Sequence, residues 1–204
     1  MKIKKLATLF ATMAVGVGTA WAQGQIDFHC PSTQPLKVTD GTTTWTVGAT
    51  GSPLVGSAVR VGLFVGANGA TDISTMTMVG MVTNNPASSG LFLGTFNGGN
   101  PFTLTGYAIG QQVSFAFAAW SISTGALTYQ AALNASQGYA GITSIRSNYG
   151  LGGGTTPAPA TFGAGAGQVQ SILLTSVAPV PEPSTIALGI LGAGALLLRR
   201  RKAS

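Results

Sequence analysis

The chain has 204 residues, ten of them Lys or Arg and only four Asp or Glu, with a single His and a single Cys. Its formal charge of +6 sits at the two ends, because between residues 23 and 178 the cations Lys37, Arg60 and Arg146 are matched by Asp27, Asp40 and Asp72. A body without net charge or a basic patch excludes a nucleic-acid binder, and one Cys excludes an internal disulfide.

The opening MKIKKLATLFATMAVGVGTAWAQ has the three parts of a secretory signal. Lys2, Lys4 and Lys5 form the charged start, residues 6–18 the apolar stretch, and Ala20-Trp21-Ala22 the small-residue cleavage site. Residues 1–22 are therefore predicted to be a signal peptide, read by signal peptidase at Ala20 and Ala22 and removed after Ala22.

The exported body, residues 23–178, holds 25 of the 30 glycines. That share is more than twice the usual ~7% and suits a β-rich extracellular domain with many tight turns rather than a helical bundle. Period-two alternation marks half-buried strands. In VRVGLFV, Val59, Val61, Leu63 and Val65 share one face, and Arg60, Gly62 and Phe64 the other. In QQVSFAFAAWSI, Val113, Phe115 and Phe117 share a face while Trp120 and Ile122 fall opposite. Either that strand is buried on both faces, or a bulge near Ala118 and Ala119 shifts its phase.

Shorter strands are predicted over 26–29, 43–47, 76–82, 91–95, 102–105, 142–147 and 169–177. Turn signals separate them at Asp40-Gly41, Asn68-Gly69, Asn97-Gly98 and Ser123-Thr124-Gly125. One short helix is predicted over 127–137. Residues 150–167, GLGGGTTPAPATFGAGAG, read as a flexible Gly/Pro/Ala loop too poor in packing side chains to join the core. The fold class expected is all-β: an antiparallel β-sandwich with Gly-rich turns, flanked by the N-terminal signal helix and a short C-terminal transmembrane helix.

The body offers few groups for chemistry. His29 and Cys30 are adjacent, and neighbours on a strand point to opposite faces, which argues against a nucleophile–base pair. Three scattered aspartates provide neither a glycosidase pair nor a metal-ligand set. The body is accordingly expected to be no enzyme, with no catalytic residues, no metal and no cofactor. Trp45, Trp120 and Tyr107 are the rings that could stack on a sugar face. For any one of them burial in the core or at a sheet edge is the commoner fate.

The chain ends VPEPSTIALGILGAGALLLRRRKAS. Pro181-Glu182-Pro183 cannot start a regular helix or strand, since two prolines fix φ and remove two N–H donors. Glu182 is the only glutamate of the chain. The apolar run 186–198 has 13 residues and as a helix reaches about 20 Å. A bilayer core is about 30 Å thick, so the run is a marginal transmembrane segment. Arg199, Arg200, Arg201 and Lys202 form a basic stop that stays cytoplasmic, leaving everything before Pro181 outside.

Pro181-Glu182-Pro183, the short span and the Arg-rich end, on a chain that opens with a signal peptide, together resemble a PEP-CTERM sorting signal, here over residues 179–204. The resemblance implies recognition by an exosortase, a membrane transpeptidase that removes the tail and passes the protein to the cell surface or extracellular matrix. The pieces GLFVG, GLFLGTFNGG, VSFAFAAWSISTGALTYQAA and VQSILL resemble uncharacterised domains that precede such tails. The function expected is that of an exported, exosortase-sorted, non-catalytic surface or matrix protein. The alternative is an envelope-attached carbohydrate-binding module, with extracellular polysaccharide as its partner.

Overall fold

The computed structural model describes residues 23–56, 58–85 and 94–177. Among them the strands are β1 (Gln23–Cys30), β2 (Lys37–Thr39), β3 (Thr44–Thr46), β4 (Val59–Ala67), β5 (Thr77–Thr83), β6 (Phe96–Ala108), β7 (Gln112–Ser121), β8 (Tyr139–Ile142), β9 (Arg146–Gly150) and β10 (Leu173–Ser176), with one helix, α1 (Tyr129–Leu133), between β7 and β8. The expected signal helix, the segment 91–93 and everything from residue 178 onward lie outside the described residues.

The two best-patterned stretches form the centre. β4 and β7 pair antiparallel without interruption from Val59 opposite Ser121 to Ala67 opposite Val113. Their β-branched and aromatic side chains fit a pleated surface buried on both faces. Val59, Val61, Leu63 and Val65 point inward with Val113, Phe115, Phe117 and Ala119. Each such large apolar side chain contributes about 1.5–3 kcal/mol on burial. On the opposite face Trp120 is fully buried with Ala118, Ala126, Tyr129, Ala132 and Ala140, beneath α1. The phase change in β7 thus comes from burial on both faces, and no bulge interrupts its ladder to β4.

The large sheet runs in the order β3-β2-β10-β8-β7-β4-β5, with β9 also paired to β7. β1 and β6 form a second, two-stranded sheet. It packs on the large one through Phe28, which stacks on Phe117 at 5.8 Å and meets Phe96 edge-on at 5.7 Å. The result is mostly β and sandwich-like, but one expectation needs correcting. β10 pairs with β2 in parallel, so the large sheet is mixed rather than wholly antiparallel. The layers are also unequal, because one of them has only two strands.

Asn97-Gly98 is no hairpin turn but lies inside the long strand β6. Gly98 is required there by close approach, since a Cβ on it would sit 2.2 Å from the Phe28 ring. Registers shift on either side of Phe28, and those bulges absorb the crowding. Asp40-Gly41 does join β2 to β3, and Gly125 at φ 70° closes the turn after β7. The short strand β2 was not anticipated. The stretch expected as one strand over 142–147 divides into β8 and β9, and that expected over 169–177 shrinks to β10. α1 is shorter than the expected 127–137, starting where Thr128 Oγ1 accepts the Ala131 N–H at 3.2 Å.

Residues 150–167 are a loop, as expected, yet they pack. Leu151 and Phe162 belong to the core and Thr161 is fully buried. The loop follows the free edge of β1: Gln25 and Gly152 exchange backbone hydrogen bonds of 2.9 and 2.8 Å, and Thr161 Oγ1 donates to the Asp27 carbonyl at 3.0 Å. Small residues permit the tight folding. A Cβ on Gly152 would lie 2.4 Å from the Ala158 nitrogen.

Candidate functional site

The chemistry-bearing residues cluster on β1. Side chains there alternate, so Ile26, Phe28 and Cys30 enter the core while Asp27 and His29 share the outer face. Cys30 Sγ donates to the Gln34 carbonyl at 2.8 Å. Burial, reinforced by the negative charge of Asp27, pushes its thiol up to about 12. His29 and Cys30 therefore point apart, and the thiol is buried in its protonated form.

Asp27 is itself buried, under the 159–162 part of the loop. Its Oδ2 accepts the Thr161 N–H at 3.4 Å, and Oδ1 lies 3.7 Å from His29 Nδ1 without a hydrogen-bond partner. Desolvation raises the Asp27 carboxyl above the usual range, partly opposed by the charge of His29 and the Thr161 N–H. The neighbouring Tyr149 hydroxyl donates to the Pro159 carbonyl. Its acidity is suppressed mainly by burial. The sequence reading weighs His29 with Cys30 as a catalytic pair and with the scattered aspartates as metal ligands, and misses its direct pairing with Asp27. The spacing of two residues on a strand was the available signal.

His29, about one-third exposed, opens on a hollow of about 200 Å³ with Cys30 and Phe96 in its wall and the polar side chains of Ser32, Asn85, Thr95 and Asn97 around them. These groups can hold water or a small hydroxylated molecule by hydrogen bonds. The other two body aspartates serve turns. Asp40 Oδ1 accepts the N–H groups of Thr42 and Thr43 at 2.9 and 2.8 Å, and Asp72 Oδ1 that of Ser74 at 2.8 Å. These bonds hold both carboxyls below the usual range. Among the described residues no three His, Cys, Asp or Glu side chains gather as a metal site would require.

The three rings singled out for sugar stacking are not brought together. Trp120 is fully buried, its Nε1 donating to the Ala126 carbonyl at 3.0 Å, so it offers no face to a sugar. Trp45 on β3 and Tyr107 on β6 are half-buried against the core and belong to different sheets. A second hollow of about 300 Å³, largely apolar, lies between Phe64, Ile73, Met76, Met78 and Tyr129 on the outer face of the large sheet.

The body ends beside that same face. β10 leads to Val177, whose N–H donates to the Gly138 carbonyl at 3.0 Å and whose side chain packs against the Trp120 cluster. Pro181, Glu182, Pro183, the run 186–198, Arg199, Arg200, Arg201 and Lys202 follow outside the described residues, as do Ala20 and Ala22 before them. Among the described residues no helix is long and apolar enough to cross a membrane.

No curated protein matches the chain. No solved structure matches it either. A family model described as the PEP-CTERM protein-sorting motif matches residues 179–202, which take in Pro181-Glu182-Pro183, the apolar run and the four cations. The chain thus carries a PEP-CTERM protein-sorting motif, which begins two residues after Val177, the last described residue of the β body.

Proposed function

We propose that the chain is exported, held briefly in the membrane by residues 186–198, and released by an exosortase to the cell surface or extracellular matrix, where the body serves without catalysis. The match at residues 179–202 carries this reading. On it, residues 1–22 are lost to signal peptidase after Ala22, residues 23–178 are the mature domain, and residues 179–204 are the sorting signal. Pro181-Glu182-Pro183 presents an extended backbone that a protease-like active site can grip, and Arg199 to Lys202 hold the cytoplasmic side.

For the body, the use of Asp40 and Asp72 in turns and the buried, protonated Cys30 favour a structural role. The carbohydrate-binding alternative loses Trp120 from its stacking set. A glycan array on residues 23–177 tests that alternative, and binding above background would revive it. The sorting reading is tested by deleting the exosortase of the host. The expected result is a longer chain retained with the membrane, and unchanged size and location would overturn it.

A further inference from the structure

The strand directions place one particular end of the body where the chain departs for the membrane. β7 and β8 are antiparallel, as are β8 and β10, so Ser121, Tyr139 and Ser176 lie at the same end of the large sheet. The connection 122–138 leaves and rejoins the sheet at that end, and α1 within it lies on the adjoining outer face over Trp120. The connection exposes Ile122, Leu127 and Leu133, with Leu127 69% accessible. No charged residue occurs from Ile122 to Gly138. The nearby cation Arg60 turns its guanidinium inward, Nη1 donating to the Ala126 carbonyl at 2.6 Å. Asp40, on the β2–β3 turn beyond β10, is engaged with Thr42 and Thr43.

The tether is short. Residues 178–185 separate Val177 from the apolar run, and eight residues fully extended span at most about 28 Å. A body of this size is about 40 Å across. It cannot turn over to present its far end to the bilayer while the tail is inserted.

We propose that this end rests on the lipid surface during sorting, with Ile122, Leu127 and Leu133 at the boundary between headgroups and acyl chains. The contact deepens the function proposed above and depends on the tail being membrane-inserted. Three side chains bind a bilayer weakly, but a tether of this length supplies an effective concentration of order millimolar. Docking then holds Pro181-Glu182-Pro183 within reach of a membrane-embedded enzyme, instead of letting the body swing across it. Because the patch is uncharged, its contact is insensitive to salt and to anionic lipid.

The test uses residues 23–204, with the tail kept, in phosphatidylcholine vesicles, with a fluorescent label placed at Leu127→Cys or Leu133→Cys and, as control, at Thr155→Cys. Thr155 is exposed, in the turn beside Ile109 at the opposite end, and buried Cys30 stays unlabelled. We expect iodide quenching at positions 127 and 133 to fall several-fold on insertion, quenching by nitroxide lipid to appear there, and neither to change at 155. Adding Ile122→Asp to the Leu133→Cys chain should restore iodide access, with Cys30 still protected as a check on the fold. Chains that float with the vesicles while all three labels stay equally open to iodide would overturn the docking alone. Chains that do not float with the vesicles would overturn the docking together with the reading of the tail.

Discussion

Replacing Phe162 by Ala asks whether a segment composed largely of Gly, Pro and Ala is part of the core. Phe162 is 4% exposed, and its ring lies 4.8 Å from that of Phe117 and 5.8 Å, edge-on, from that of Phe96. Truncating a buried Phe to Ala costs about 3–5 kcal/mol. Two aromatic contacts of about 0.5–1.5 kcal/mol each favour the middle of that range or above. We therefore expect a loss of about 4 kcal/mol, and a Tm lower by roughly 10 °C for a domain of this size. Urea unfolding of residues 23–177, followed by the fluorescence of Trp45 and Trp120, measures it. Thr155→Ala in the exposed part of the same loop should stay within about 0.5 kcal/mol of the parent. A Phe162→Ala loss below about 1 kcal/mol would refute the anchoring of the loop in the core by Phe162.

Asp27→Asn should raise stability at pH 7, because burial makes the native carboxyl a weaker acid than the unfolded one. The penalty grows as pH rises from the unfolded value to the native one, so the gain should vanish in acid; a Tm at pH 7 below that of the parent would contradict this. With its thiol pushed up to about 12, Cys30 is ionised in only about one molecule in ten thousand at pH 8, and a thiol reagent should modify it only after unfolding. Fast, complete labelling of the folded chain would show the site to be misread. Gly141→Ala brings a Cβ within 2.1 Å of the Leu173 carbonyl oxygen, a clash between backbones that should cost at least about 3 kcal/mol and separate β8 from β10. Near-parent stability would contradict the placement of β10, and with it the exit of the chain.

The centre of the fold was legible because Val59, Val61, Leu63 and Val65 of β4 and Val113, Phe115 and Phe117 of β7 recur at every second residue. The pattern of β7 left two explanations open, and only the cover that α1 gives Trp120 decides between them. Of β6 the sequence pattern shows only the piece 102–105, with Asn97-Gly98 before it reading as a turn, since Asn and Gly favour turns. Here Gly98 answers the Phe28 ring in the paired strand, a demand that a linear pattern does not display. In residues 150–167 composition outweighed position: Leu151 and Phe162 are enough to anchor the loop, and the glycines around them let it fold tightly. β2 escaped notice because three residues are too few for a periodic signal. The Asp27–His29 pair depends on a loop more than a hundred residues away in sequence to bury it, and only half of that arrangement, the spacing on β1, can be read locally.

The central claim is that Pro181-Glu182-Pro183 marks the place where the chain is taken from the membrane. Intact-mass analysis of the exported protein, comparing the parent with a chain carrying Pro181→Ala, Glu182→Ala and Pro183→Ala, tests it most directly. The parent should have lost the apolar run and its four cations, while the triple variant should keep them and remain with the membrane. Equal masses and equal locations for the two would contradict the account.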